Sequence, residues 1–125
     1  MPDTPEPIPI YTTSGDTAGF LVFPYLFDQS GEWMGWVTAD RLVYSVTGHY
    51  VGWLHHDFRI LRRRAEDYIH PDQNPPARPA RLSPPATVPL PPMMAELKYE
   101  TVDVLDELPE LLPVYDAFSF PEEAD

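Results

Sequence analysis

At 125 residues the chain has room for one domain with an appendage, and a formal net charge of −12 denies it the basic surface that general nucleic-acid binding requires. The absence of cysteine excludes disulfides and thiolate metal sites, and no stretch approaches the roughly 20 apolar residues of a membrane span. Proline is the extreme of the composition: of 17, only Pro24 falls between residues 10 and 70, while nine crowd Pro71 to Pro92.

Residues 1–9 read as an N-terminal arm. Its opening, Met1-Pro2-Asp3-Thr4-Pro5-Glu6, has neither the basic start nor the apolar run of a secretory signal. A signal-free chain without cysteine is expected in the cytoplasm.

Residues 10–70 carry a repeat. Ile10-Tyr11-Thr12-Thr13-Ser14-Gly15, then Gly19-Phe20-Leu21, returns as Leu26-Phe27-Asp28-Gln29-Ser30-Gly31, then Gly35-Trp36-Val37. It returns again as Val43-Tyr44-Ser45-Val46-Thr47-Gly48, then Gly52-Trp53-Leu54, and a half-copy starts at Ile60-Leu61. The first glycine of each copy closes a polar segment between aromatic and β-branched runs, the pattern of a hairpin turn. The second lies within the return strand, where glycine marks a bulge or the close approach of another backbone. Together with opposite turns at 38–41 and 55–57, this predicts strands near 8–12, 18–27, 32–37, 42–46, 49–54 and 58–63.

Hairpins this short cannot bury a face alone, and a body of about sixty residues is marginal by itself. The expected fold is therefore all-β: an antiparallel meander of Gly/aromatic hairpin repeats closed into a small barrel- or flower-like array. It carries an extended Pro-rich tail and a short C-terminal helical segment. Three and a half copies leave a gap, to be filled by the chain's other end or by a second subunit.

Tyr44, Gly48, Gly52 and Trp53, with Phe27, Gly31, Gly35 and Trp36 one copy earlier, and the run Pro75-Pro76-Ala77-Arg78-Pro79-Ala80-Arg81 resemble the bacterial 4-fold beta flower family. The resemblance spans roughly residues 10–81 and implies a fold, with no activity, cofactor or catalytic residue to carry over. The fourth copy departs from the pattern, with Arg62-Arg63-Arg64-Ala65 where its glycine turn belongs.

Residues 71–95 form a Pro-rich linker. Proline fixes φ and donates no hydrogen bond, so this stretch favours polyproline II at ~3.1 Å per residue. Residues 96–125 form an acidic amphipathic tail, with ten acids against Lys98, whereas residues 17–95 balance to zero. Leu105, Leu108 and Leu111 share one helical face with Val104 and Leu112. Pro109 suits the first position of a second short turn better than the interior of one helix. Tyr115, Phe118 and Phe120 add clustered rings. Apolar groups of this kind are costly to leave in water, at ~25 cal/mol per Å², so the tail is expected to dock on its own body, a sister subunit or a partner protein.

No Gly-x-Ser-x-Gly or phosphate loop is present. His49, His55, His56 and Asp57 are the metal candidates, but neighbours on a strand point to opposite faces, and no metal or other cofactor is expected. Trp33 and Tyr50 stand at odd offsets from Trp36 and Trp53, which predicts the opposite sheet face. If exposed, they form an aromatic ledge for a proline-rich strand. Pro75, Pro76 and Pro79 would lie on it, while Arg59 and the run Arg62, Arg63 and Arg64 meet the acidic tail. The resulting expectation is a non-enzymatic interaction or assembly module that forms a homo-oligomer through its tail or binds a partner protein, with no nucleic acid and no membrane involved. The alternative is a small metal-dependent or small-molecule enzyme built on His49, His55, His56 and Asp57.

Overall fold

Five hairpin turns of one shape set the architecture. At 12–16, 28–32, 38–42, 45–49 and 55–59, the first N–H donates to the fifth carbonyl and the fourth N–H returns to the first carbonyl. The fourth residue takes positive φ. Gly15 (101°), Gly31 (95°) and Gly48 (95°) do so freely, and Arg41 (68°) and Phe58 (66°) do so against the preference of their side chains. In four of the turns a side-chain oxygen of the first residue (Thr12, Asp28, Thr38 or Ser45) accepts the fifth N–H, the local bond that suits these residue types to turns.

The computed structural model describes residues 6–65 and 70–115. Its strands are β1 (Ile8–Tyr11), β2 (Thr17–Val22), β3 (Tyr25–Asp28), β4 (Trp33–Val37), β5 (Leu42–Ser45), β6 (Tyr50–Leu54), β7 (Ile60–Arg63) and β8 (Thr101–Asp103). They form one curled antiparallel sheet in chain order. The fold class read from the repeat is the one observed.

One predicted strand is corrected. The stretch 18–27 is two strands, β2 and β3, with Val22 directly opposite Tyr25 and a cis Phe23–Pro24 bond between them. Both linking residues are apolar, so neither gives the polar or glycine signal by which the other turns were recognised, although Phe23 is 62% exposed at the tip.

A second correction concerns sheet faces. Tyr25 and Phe27 share a face, and their direct partners are Trp36 and Trp33, so both tryptophans lie on that same face. The register shift between Leu26 and Phe27 inserts Met34 as an extra residue and reverses the parity assumed from the odd offset. An equivalent shift between Val43 and Tyr44 puts Tyr50 on the face of Trp53.

The second glycines stand where one strand's backbone crosses the next. A Cβ would lie 2.3 Å from the Phe27 carbonyl oxygen at Gly19, 2.5 Å from that of Tyr44 at Gly35, and 2.0 Å from that of Leu61 at Gly52. The sheet curls tightly because these three positions have no side chain. Its inner face buries Ile10, Leu21, Leu26, Val43, Val51 and Ile60.

The gap in the fourth copy is filled from the chain's own C-terminal part. β8 pairs with β7 through Leu61↔Asp103, Arg62↔Val102 and Arg63↔Thr101. The chain then makes α1 (Val104–Glu107) and a 3-10 turn (Pro109–Leu111) with Pro109 at its first position. Val104 and Leu112 enter the core, and Leu105, Leu111 and Val114 pack beside them. Among the described residues no ladder joins β8 to β1. The N–H of Tyr11 crosses that seam to the Phe58 carbonyl at 2.9 Å.

Candidate functional site

The Pro-rich arm makes the same contact at two glycine turns. Gly48 accepts the N–H of Gln73 at 2.9 Å, and Gly31 accepts that of Leu82 at 3.0 Å. A Cβ would lie 2.3 Å from the Gln73 carbonyl oxygen at Gly48 and 1.9 Å from that of Leu82 at Gly31, so glycine is required for approach as well as for φ. A proline two residues further on, Pro75 or Pro84, sets its Cδ 3.6 or 3.5 Å from the same Cβ position. One residue before the donor, Asp72 pairs with His49 at 3.1 Å and Arg81 with Glu32 at 2.9 Å. The donor's own side chain meets the ring of the repeat: Gln73 Nε2 donates to the Tyr44 hydroxyl, and Leu82 packs in the cluster of Phe27 and Trp33. Each seat thus uses one backbone hydrogen bond, one polar side-chain pair and one ring, and the two donors lie nine residues apart.

Trp33 and Tyr50 are not an open ledge. They are 4% and 8% exposed, and the chain itself covers them. Trp33 stacks on Tyr115 at 5.5 Å, with Arg78 above the other ring at 4.4 Å. Tyr50 meets Tyr44 at 5.9 Å and His70 at 4.4 Å. Pro75 lies in the Gly48 seat, while Pro76 and Pro79 are half-buried. Leu105, Leu108 and Leu111 are half-buried as well, and Phe118 lies outside the described residues.

A buried polar network closes the seam between β1 and β8. Arg59, 2% exposed, holds Asp57 at 2.7 Å and donates to Thr13 Oγ1 at 2.8 Å and to the Ala95 carbonyl at 3.0 Å. Thr13 in turn donates to Asp103 Oδ2 from its N–H at 2.6 Å and its hydroxyl at 2.7 Å. Ser14 bonds Asp106 through both N–H and hydroxyl. Burial would raise the Asp57 carboxyl, but the Arg59 guanidinium and its hydrogen bonds outweigh it and hold the group below its ordinary 3.8.

Asp103 is shifted the other way. Burial pushes its carboxyl above 3.8, the Thr13 bonds pull it back only in part, and the Asp106 charge adds to the rise. Its Oδ1 is buried with no partner among the described residues. The folded carboxyl keeps its proton to higher pH than the unfolded one. Its contribution to stability is therefore complete below 3.8 and lost as pH rises through the folded value. Asp103→Asn, which cannot ionise, should show a shallower fall in urea midpoint over that window than the native chain. Parallel profiles would remove Asp103 as the cause.

The other expected site residues are dispersed. Arg62 donates to the Val51 carbonyl at 2.8 Å, and Arg63 sits opposite Thr101 in the ladder. Among the described residues Arg64 alone of the run reaches a tail acid, Glu107 at 3.5 Å, while its guanidinium lies 4.2 Å over the Tyr99 ring. His55 accepts from Trp53 Nε1 and lies 4.2 Å from the His56 ring, and burial holds it below its ordinary 6.5. His49 faces Asp72 and Asp57 faces Arg59. Among the described residues no three His, Asp or Glu side chains are gathered as a metal would need. A cleft of about 530 Å³ beside Asp103, Thr13, Arg64 and Lys98 holds no histidine among its lining residues.

Sequence reading missed Gln73, Leu82, Thr13 and Asp103. A signal for the first two was present: Gln73-Asn74-Pro75-Pro76 and Leu82-Ser83-Pro84-Pro85 share the order donor, small polar residue, Pro, Pro. For Thr13 and Asp103, ninety residues apart, none was.

A curled all-antiparallel sheet of hairpin copies, with a backbone-binding glycine turn on two of them, defines a petalled β-repeat protein. The chain belongs to the family described as 4-fold beta flower protein, whose model matches residues 8–102. No curated protein and no solved structure matches it significantly. Among the described residues no helix is long and apolar enough to cross a membrane.

Proposed function

We propose that the protein is a non-enzymatic interaction module whose glycine turns hold proline-bearing extended strands, from its own tail, from a second copy or from a partner protein. One observation carries this reading: the bonds at Gly48 and Gly31 repeat, with Gln73 and Leu82 in equivalent places. Backbone bonds give such a seat affinity, and the ring and the polar side-chain pair give it selectivity. Because each contact uses a short local segment, a neighbouring copy's arm satisfies it equally, and arm exchange is the route to a homo-oligomer. The cytoplasm is the compartment we assign to this activity, on the strength of a cysteine-free chain.

The test removes the two donors in the full chain. Gln73→Pro with Leu82→Pro deletes both backbone hydrogen bonds and the Gln73 side-chain bond to Tyr44, worth ~1 kcal/mol each, which should lower the melting temperature by roughly 12 °C. An unchanged melting temperature would refute arm seating.

A further inference from the structure

The repeat has three glycine turns, and the arm covers two. Gly31 and Gly48 are buried, whereas Gly15 is exposed, with nothing among the described residues within 4 Å of its Cβ position. Its φ of 101° and its turn bonds match the other two. We infer that the Gly15 turn is a third seat of the same kind, open to a partner protein's extended segment of the form basic residue, Gln or aliphatic residue, small polar residue, Pro, Pro.

Each element of that form comes from an occupied seat. The donor must have an N–H, as Gln73 and Leu82 do. Two residues later comes the proline that lies against the glycine, in the place of Pro75 or Pro84. The donor's side chain meets the ring one copy apart from Phe27 and Tyr44, which here is the half-buried Tyr11, suiting an amide or an aliphatic group. The residue before the donor pairs with the one after the glycine, as Arg81 does with Glu32 and Asp72 with His49. After Gly15 that residue is Asp16, exposed and with no ion pair among the described residues, so a cation is selected.

The chain's own arm has a third Pro-Pro step, Pro91-Pro92, but its donor position is Pro89 and the residue before that is Val88. Proline has no N–H to give and valine no charge, so this step cannot occupy the seat. Leu90 and Met93 beside it are 90% and 99% exposed.

This inference rests on the interaction reading above. Its probe is a fluorescent peptide with the sequence of residues 78–86, Arg-Pro-Ala-Arg-Leu-Ser-Pro-Pro-Ala, titrated into the full-length protein. Saturable one-to-one binding is expected, weakened at least about tenfold by Asp16→Lys and absent when the peptide's leucine is replaced by proline. Absence of saturation up to about 1 mM, or equal affinity for Asp16→Lys, overturns the inference. Binding lost on Glu32→Lys and kept on Asp16→Lys also overturns it, since the peptide would then be displacing the arm from Gly31. Self-association without peptide that Asp16→Lys abolishes would make a second copy the occupant and overturn the choice of partner. Failure here while the Gln73→Pro/Leu82→Pro chain still melts lower leaves arm seating intact; an unchanged melt refutes arm seating itself.

Discussion

Gly52→Ala should abolish the cooperative unfolding of this protein. Gly52 lies on β6 directly opposite Val43, so its missing side chain would point into the core. The Cβ would meet backbone on the facing strand: the Leu61 carbonyl oxygen at 2.0 Å and its carbon at 2.9 Å. A flexible side chain can turn away, but a paired strand cannot, and moving β7 also displaces Ile60, the β8 pairing and the Arg59 network. Overpacking costs about 1–3 kcal/mol, and more where the obstacle is paired backbone, against a total of about 5–15 for ordinary domains and less for small ones. Gly15→Ala is the control, since it meets no atom of the described residues within 4 Å and carries only the ~1–2 kcal/mol cost of left-handed backbone. Urea unfolding followed by tryptophan fluorescence distinguishes the two. A sigmoidal transition for Gly52→Ala at the native midpoint would mean that the strand crossing is not tight.

Ending the chain at residue 95 should have an effect as large. The cut removes Val102, Val104 and Leu112, 2%, 0% and 4% exposed, each worth roughly 2 kcal/mol of burial. It also leaves β7 as an open edge beside Arg62 and Arg63, and takes from Thr13 its two bonds to Asp103. The truncated chain should lack a cooperative thermal transition and associate through the bare edge. Adding a peptide of residues 96–115 should restore the transition. A truncated chain that melts like the native one would show that β8 is dispensable.

Much of the fold was legible because glycine has few substitutes. A turn needing φ near 95° and a strand crossing with no room for Cβ both write glycine into the sequence, and the aromatic residues beside them follow the sheet's outer face. The missing half of the fourth copy was visible as a gap, and Pro109 marked where the second helical turn begins. Other features leave no such mark. Arg41 and Phe58 hold positive φ without being glycine, because hydrogen bonds on both sides fix their turns. Met34 and Val51 are extra residues in otherwise regular strands, and one inserted residue reverses every inference about faces after it. The seam network joins Thr13 to Asp103 across ninety positions, and a buried Arg59 looks in sequence like any other turn arginine. The arm's seats were hidden for a further reason. Their anchoring bonds come from two backbone N–H groups, which every residue but proline possesses.

Amide hydrogen exchange along the arm tests the central claim most directly. In the native full-length chain the N–H groups of Gln73 and Leu82 should exchange at least about 100-fold more slowly than those of Ala77, Ala80 and Thr87. That gives two protected positions nine residues apart in an otherwise unprotected stretch. Uniformly fast exchange at residues 72–88 would contradict it, and with it the reading of the glycine turns as seats.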